Sequence, residues 1–309
     1  MNPQILLVGT GAVGGYYGAR LSQAGARVSA LCRSDYDLVK KNGIAIRSVS
    51  GDYHFTPEKV VRAVDECRSE PDYIIVATKV LPEINIPDTI RKKVFPKTSI
   101  VLLQNGIDIE EPVASAFPEN ELISAIAFIS VSRPEYGLIE HRDYGSIRLG
   151  RYPSGSSEKI ELLAGLFRKG GVPCEIDSDI VTARWRKLMW NAPFNPISVL
   201  AGGADTREMA ESAPALMLAR KVMEEIRTLA EKSGHPLPPS IIDGVIESAL
   251  SMTPSKTSML QDYELKRPME VEAILGNAVR IARRYDVHVP HLDSLYGLLS
   301  LVDKKNRKV

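Results

Sequence analysis

Short apolar runs recur along the first half of the chain, and the segments between them are typical of helices. Continuous apolar runs are characteristic of strands buried on both faces of a parallel sheet, whose crossovers are usually helical. We place strands at 5–8, 27–32, 72–79 and 99–106, with helices at 12–24 and around 84–94. The pattern predicts an α/β fold with a doubly wound sheet of the Rossmann type.

Further strand-like stretches extend this pattern. Residues 44–46 and 53–55 flank a turn at Gly51, which predicts an inserted hairpin. The remaining predicted elements are strands at 124–132, 145–149 and 172–176 and an amphipathic helix at 158–167. The sheet domain is expected to comprise residues 1–178.

The second half has a different character. From Asp179 onward, long helical patterns replace the short apolar runs, and only Gly202-Gly203 and the region 236–239 interrupt them. An all-helical C-terminal domain is therefore predicted for residues 179–309.

A glycine-rich motif follows the first strand. Gly9, Gly11 and Gly14 have the spacing G-x-G-x-x-G, with a strand before them and a helix after them. Gly9 permits the turn, Gly11 allows close approach of a pyrophosphate, and Gly14 allows the helix to pack on the strand. The alternative is a glycine-rich turn without a ligand. The residues expected to line a dinucleotide are Gly9, Thr10, Gly11, Ala12, Val13 and Gly14.

Composition narrows the choice of partner. The 39 Lys and Arg residues balance 38 Asp and Glu, with a formal charge of +1, which favours a small-molecule ligand over nucleic acid or a membrane surface. Three widely spaced cysteines are expected to be buried thiols in a reducing compartment. With no signal-like segment and no membrane-length apolar run, a cytoplasmic location is expected, and no metal site is predicted.

Polar residues at the ends of the strands are candidates for ligand binding. An NAD-preferring sheet usually has an acid after its second strand, but this chain has Arg33, which suits the 2′-phosphate of NADP. Alternatively, Arg33 is a solvated cation and Asp35 serves NAD. Lys79 and Asn105 follow two other strands, where they either contact a ligand or are ordinary loop residues.

A polar row is predicted on one helix of the second half. Lys187, Asn191 and Asn195 recur every four residues, and Leu188, Met189, Trp190 and Phe194 surround them. Burying such groups without partners costs about 1–3 kcal/mol each, so the row is expected to face a wet cleft or a polar ligand. The alternative is a solvated helix edge whose asparagines lie near a proline break.

Residue chemistry alone does not decide the roles of two later residues, Ser258 and Glu270. Ser258 lies in a polar cluster at 255–262, where Thr257-Ser258 could cap a helix. Glu270 follows Pro268 and could be a first-turn acid favoured by the helix dipole.

Taken together, these motifs resemble the ketopantoate reductase (2-dehydropantoate 2-reductase) family over nearly the full length. That family pairs a Rossmann domain with a helical domain and reduces ketopantoate to pantoate with NADPH, a step of pantothenate and coenzyme A biosynthesis. The parts that carry the resemblance are the Gly9–Gly14 loop, Asn105-Gly106, Lys187-x-x-x-Asn191-x-x-x-Asn195-Pro196, Ser258-Met259-Leu260-Gln261-Asp262, and Glu270.

The resemblance also implies roles for individual residues. Lys187 is expected to be the general acid, and Glu270 to lie where nicotinamide and substrate meet. The implied substrate-binding residues are Asn105, Asn191, Asn195 and Ser258. The implied cofactor-binding residues are those of the glycine loop with Arg33, Lys79, Asn105 and Glu270.

Two departures from the family leave the substrate open. Ser255 and Asp205 stand where relatives can carry asparagines. The alternatives are reduction of another branched or aromatic 2-oxo acid and, from another class, an NADPH-sensing regulator without turnover. A homodimer is compatible with the apolar helical half.

Overall fold

The computed structural model describes residues 2–307. The chain divides into two compact units. The first, the sheet unit, comprises Met1–Lys79, Ile84–Gln104 and Glu110–Ile180. The second, the helical unit, comprises Val80–Glu83, Asn105–Ile109 and Val181–Val309. Two short segments from the first half of the chain therefore belong to the helical unit, which differs from the single expected break after residue 178.

Within residues 2–307, ten strands form one sheet in the sheet unit. They are β1 (Gln4–Val8), β2 (Arg27–Leu31), β3 (Ile44–Ser48), β4 (Tyr53–Phe55), β5 (Lys59–Val61), β6 (Tyr73–Val76), β7 (Ser99–Leu102), β8 (Leu122–Glu135), β9 (Leu138–Arg151) and β10 (Cys174–Ile176). The spatial order is β4-β3-β9-β8-β7-β6-β1-β2-β5, and β10 pairs with β9.

The strands β5, β2, β1, β6, β7 and β8, from the β5 edge inward, are parallel to their neighbours in that order. The chain runs from β1 to one side at β2 and returns to the other side at β6, so β1 and β6 flank the switch point where doubly wound sheets bind ligands. In β1, Ile5 and Leu7 pack in one core cluster, and Leu6 and Val8 in another. Both faces of the sheet are covered, as the continuous apolar runs predict.

The helices of the sheet unit are α1 (Ala12–Gln23), α2 (Tyr36–Asn42), α3 (Ile86–Ile90), α4 (Glu111–Ala116) and α5 (Glu158–Lys169), with single 3₁₀ turns at Val64–Glu66 and Arg91–Lys93. Helix α1 ends where expected, because Gly25 has a φ of +100°. All three cysteines are buried free thiols, as expected.

The β8–β9 hairpin corrects the predicted strand lengths. The predicted strands at 124–132 and 145–149 are each part of a 14-residue strand in an antiparallel pair. The prediction missed the start of β9 because the polar residues His141, Arg142 and Asp143 broke the apolar pattern. The inserted hairpin at β3 and β4 is confirmed as an antiparallel pair.

The helical unit contains α6 (Ile180–Leu200), α7 (Thr206–Glu211), α8 (Ala213–Lys232), α9 (Ile241–Ser251), α10 (Ser258–Glu264), α11 (Asn277–Arg284) and α12 (Pro290–Asn306). A π-helical turn, Glu272–Gly276, runs directly into α11. One apolar core holds the unit together, and the largest fully buried side chain in it is Trp185 of α6. No helix among residues 2–307 is long and apolar enough to span a bilayer.

Candidate active site

The glycine loop after β1 has three different environments for its three glycines. Gly9 has a φ of +103°, which a side chain would strain, and a Cβ there would lie 2.9 Å from Thr78. A Cβ on Gly14 would lie 2.1 Å from the carbonyl oxygen of Gly9 and 2.8 Å from Ala77. A Cβ on Gly11, in contrast, would meet nothing within 4 Å. Gly9 and Gly14 are therefore required by packing, whereas Gly11 borders open space.

This arrangement fits the pyrophosphate of a dinucleotide. Gly11 is the N-cap residue of α1 and offers no capping side chain, and the first turn of α1 contains no acidic residue. The first backbone N–H groups of a helix have no intrahelical acceptor, so here they are left to an anion. The loop that the sequence predicts to bind a cofactor thus has the shape and the donors that binding needs.

Two charged residues, Arg33 and Asp35, follow β2 and differ in their exposure to solvent. Arg33 is exposed, whereas Asp35 is only 5% exposed. Oδ2 of Asp35 accepts hydrogen bonds from Thr10 Oγ1 at 3.3 Å and from Arg133 Nη1 at 3.0 Å. Arg133 lies 98 residues from Asp35 in the sequence, and its pairing with this acid was not predicted.

Lys79 lies three residues beyond β6, at the same edge of the sheet unit, and is partly buried. The residues just before it, Ala77 and Thr78, are those against which Gly14 and Gly9 pack. Lys79 is thereby placed close in sequence to the wall of the glycine loop.

The predicted polar row lies on α6, which continues as one helix through Pro193 and Pro196. The alternative of a solvated edge near a proline break is therefore wrong. Asn191 and Asn195 are 9% and 2% exposed, and Lys187 is partly buried. A proline has no N–H to donate and costs about 3 kcal/mol inside a helix, and here the packing of α6 in the core outweighs this cost.

The side-chain amide of Asn195 is buried without a partner in the described part of the chain. Nδ2 of Asn195 is buried and has no hydrogen-bond partner among residues 2–307. An unpaired buried donor costs about 1–3 kcal/mol, so this amide is a strong candidate to bind a ligand oxygen. Asn191 lies four residues earlier on the same face of α6 and is 9% exposed.

The pKa of the Lys187 ammonium group is lowered to about 8. Burial has the largest effect, the positive charge of Arg184 also lowers the pKa, and the carboxylate of Glu270 acts in the opposite direction. Arg184 was not among the residues predicted for the site. Its position three residues before Lys187, on the same face of α6, is the signal that could have found it.

Glu270 and Asn105 meet within the helical unit. Oε2 of Glu270 accepts from Asn105 Nδ2 at 3.3 Å, and Oε1 accepts from the backbone N–H of Val80 at 3.0 Å. Glu270 lies immediately before the helical segment that begins at Val271, rather than within its first turn. The carboxylate is thus held at both oxygens, and the structure brings it together with Asn105 and Lys187.

The Asn105-Gly106 pair has a structural explanation. Gly106 has a φ of +113°, and a Cβ on it would lie 2.7 Å from the carbonyl oxygen of Ala273 in the π-helical turn. Arg184 Nη1 donates to the carbonyl oxygen of Gly106 at 3.3 Å. The backbone N–H of Ile107 donates to the carbonyl of Ala273 at 3.1 Å. Asn105 is therefore fixed by a tightly packed turn, and π-helical turns often occur at functional sites.

Ser258 is exposed, at the first position of α10. The preceding residue, Thr257, is the N-cap: it accepts from Leu260 N and pairs with Ser198 Oγ at 2.7 Å. Because Ser198 follows Asn195 by three residues on α6, this bond holds the start of α10 against that end of the polar row. The cap is Thr257 alone, which leaves the Ser258 hydroxyl available.

Asp205 is the N-cap of α7 and accepts from the backbone N–H groups of Arg207 and Glu208. Its carboxylate therefore has a local structural task. The backbone N–H of Ser255 donates a hydrogen bond to Thr206 Oγ1 at 3.0 Å. The backbone N–H of Thr206 donates to the carbonyl oxygen of Ser255 at 3.1 Å.

These features define a dinucleotide-binding oxidoreductase with an α/β unit and a helical unit. A family model described as "Ketopantoate reductase PanE/ApbA" matches residues 5–154, and one described as "Ketopantoate reductase PanE/ApbA C terminal" matches residues 179–303. The chain belongs to the ketopantoate reductase family and is an oxidoreductase acting on CH–OH groups.

Individual relatives agree with this assignment. The 2-dehydropantoate 2-reductase of Nostoc sp. is 34% identical over 97% of this chain and 95% of its own. The crystal structure of 2-dehydropantoate 2-reductase from Methylococcus capsulatus has a TM-score of 0.92 and 47% identity, covering 99% of this chain and 98% of its own. A ternary structure of D-mandelate dehydrogenase with NADH shares the fold, with a TM-score of 0.90 at 20% identity, covering 98% of this chain and 99% of its own.

Proposed function

We propose that this protein reduces 2-dehydropantoate to pantoate with NADPH, in the synthesis of pantothenate and coenzyme A. The observation that carries the proposal is the polar row of α6, where a lysine of lowered pKa precedes Asn195, whose buried amide nitrogen has no hydrogen-bond partner among residues 2–307. Ketopantoate presents a ketone, a hydroxyl and a carboxylate, and the helical unit has a polar candidate for each.

The sheet unit supplies the proposed cofactor site. The open face of Gly11 and the N-terminus of α1 would hold the pyrophosphate, and Arg33 the 2′-phosphate, with Lys79 at the neighbouring strand end. When bound, NADPH supplies the hydride that adds to the ketone carbon. The burial of Asp35 against Thr10 and Arg133 argues against the alternative in which this acid serves the ribose of NAD.

Lys187 is the proposed proton donor. Its Nζ gives a proton to the ketone oxygen as that oxygen becomes a hydroxyl, and the resulting amine is reprotonated from solvent. A pKa of about 8 keeps the lysine charged at neutral pH while making the proton easy to transfer. Glu270, fixed by Asn105 and Val80, holds the charge and orientation of the ammonium group.

The remaining groups are assigned to the rest of the substrate. The amides of Asn191 and Asn195 bind the terminal hydroxyl, because a buried donor without a partner needs a ligand oxygen. Ser258 and Asn105 bind the carboxylate as neutral donors. A substrate without the hydroxyl would leave Asn195 unsatisfied.

The proposal is tested by NADPH oxidation with purified protein and a panel of branched and aromatic 2-oxo acids. Ketopantoate is expected to have the highest kcat/KM. Preference for another acid would replace the pantoate assignment with a broader 2-oxo acid reductase. NADPH binding without turnover of any acid would favour a sensing role instead.

A further inference from the structure

Asp35 stands at the N-cap position of α2 but does not cap the helix. An aspartate at this position normally accepts a hydrogen bond from the second or third helical N–H. The side chain of Asp35 makes no such bond. It turns inward to Thr10 and Arg133 instead, with 5% of its surface exposed.

The carboxylate thereby lies where a dinucleotide-binding sheet recognises the adenosine ribose. Thr10 is the second residue of the glycine loop, and its hydroxyl lies 3.3 Å from both Asp35 Oδ2 and the sulfur of Cys32, at the end of β2. These are the elements from which such sheets contact the ribose 2′ position. An acid here is suited to a 2′-hydroxyl and opposed to a 2′-phosphate.

Arg133 weakens this effect of Asp35 on the choice between a 2′-hydroxyl and a 2′-phosphate. Its guanidinium, on β8, forms an ion pair with Asp35 at 3.0 Å, and the two side chains are 20% and 5% exposed. Charges so little exposed are screened weakly by solvent, so the pairing strongly reduces the field of the carboxylate. A phosphate monoester carries about 1.5 to 2 negative charges at pH 7. Leaving Asp35 unpaired would therefore repel the 2′-phosphate that Arg33 is proposed to bind.

We propose that Arg133 is a positioning residue that sets cofactor choice. By pairing with Asp35, it keeps this carboxylate from binding a ribose 2′-hydroxyl and from repelling a 2′-phosphate. The inference rests on the NADPH part of the proposed function. It adds a second determinant to Arg33, contributed by a different strand.

The test measures dissociation constants of NADP⁺ and NAD⁺ by calorimetry on the substrate-free protein. The variants are Arg133→Gln, Asp35→Asn and the double variant, with Arg142→Gln as control, because Arg142 forms an exposed ion pair with Glu140 on β9. Arg133→Gln is expected to lower the preference for NADP⁺ at least tenfold. Asp35→Asn and the control should keep it, and the double variant should return to within about threefold of the wild type.

The double variant distinguishes this proposal from direct binding of the 2′-phosphate by Arg133. If Arg133 bound the 2′-phosphate directly, removing Asp35 would not restore the preference, and the proposal would be overturned. An unchanged preference in Arg133→Gln would overturn it too. An unpaired buried charge is destabilising, so Arg133→Gln could fail to fold. The double variant contains no such charge and still tests the proposal, because a lost preference for NADP⁺ in it would overturn the proposal.

Failure of the proposed function gives a different result. A wild type that binds NADP⁺ more tightly than NAD⁺ but does not reduce ketopantoate would refute the reaction and leave this inference standing. A wild type without preference for NADP⁺ would remove the basis of the inference, whatever acid it reduces.

Discussion

The side-chain amide of Asn105 donates a hydrogen bond to the carboxylate of Glu270 at 3.3 Å, across 165 residues of sequence. The other oxygen of Glu270 is held by the backbone N–H of Val80. A carboxylate bonded at both oxygens has a fixed orientation. Its charge raises the pKa of Lys187 and so opposes the lowering by burial and by Arg184, and these effects together leave that pKa at about 8.

Replacing the proton donor should affect turnover more than binding. Lys187→Ala is expected to lower kcat for ketopantoate by about 10² or more, in line with loss of a general acid, while NADPH binding stays nearly unchanged. Arg186→Ala, the exposed neighbouring cation on α6, is the matched control and should keep full activity. A Lys187→Ala enzyme with normal kcat and a raised KM would show that the lysine only anchors the substrate.

The charges around Lys187 determine the pH range in which kcat/KM should fall. A general acid must be protonated, so kcat/KM should fall as pH rises through about 8. Glu270→Gln removes a charge that raises the lysine pKa, and the fall should move to lower pH. Arg184→Gln removes a charge that lowers it, and the fall should move to higher pH. Shifts in the same direction for both variants would contradict the assignment.

Substitutions at two glycines of the loop should distinguish an effect on stability from an effect on cofactor binding. Gly14→Ala should destabilise the protein by about 1–3 kcal/mol, because its Cβ overlaps the Gly9 carbonyl. Gly11→Ala should leave the thermal midpoint unchanged and weaken NADPH binding, since its Cβ projects into open space. Thermal unfolding and fluorescence titration of both variants check this. Undiminished NADPH affinity in Gly11→Ala would mean that the pyrophosphate does not approach this residue.

Arg33 should account for most of the direct recognition of the 2′-phosphate. Arg33→Asp is expected to raise the KM for NADPH strongly while affecting that for NADH little, because a phosphate is then opposed by a carboxylate. Steady-state kinetics with both cofactors test this. Equal catalytic efficiency of the wild type with NADPH and NADH would refute the assignment.

Local sequence patterns predicted much of the fold. The apolar runs located the parallel strands, and the four-residue spacing placed Lys187, Asn191 and Asn195 on one face of α6. The two prolines suggested a possible break in that helix. The break does not occur, because nearly every residue of α6 from Leu188 to Val199 is buried and tertiary packing overrides the local preference.

Contacts between distant residues could not be predicted in the same way. Nothing near Asp35 in the sequence indicates that its carboxylate pairs with Arg133, and nothing near Gly106 indicates its contact with Ala273. Both contacts depend on how separate segments pack together. The assignment of 80–83 and 105–109 to the helical unit escaped prediction for the same reason.

The central claim is that the buried amide of Asn195 recognises the hydroxyl of ketopantoate. A site built to bind a hydroxyl discriminates strongly against an analogue that lacks it, because its own polar groups are then left unpaired. The most direct measurement compares kcat/KM for ketopantoate with that for 2-keto-3,3-dimethylbutyrate, in the wild type and in Asn195→Ala. The account predicts a wild-type preference for ketopantoate of at least about 10², because the analogue leaves the buried donor unpaired, and a much smaller preference in the variant. Equal efficiency of the wild type with both acids would contradict it.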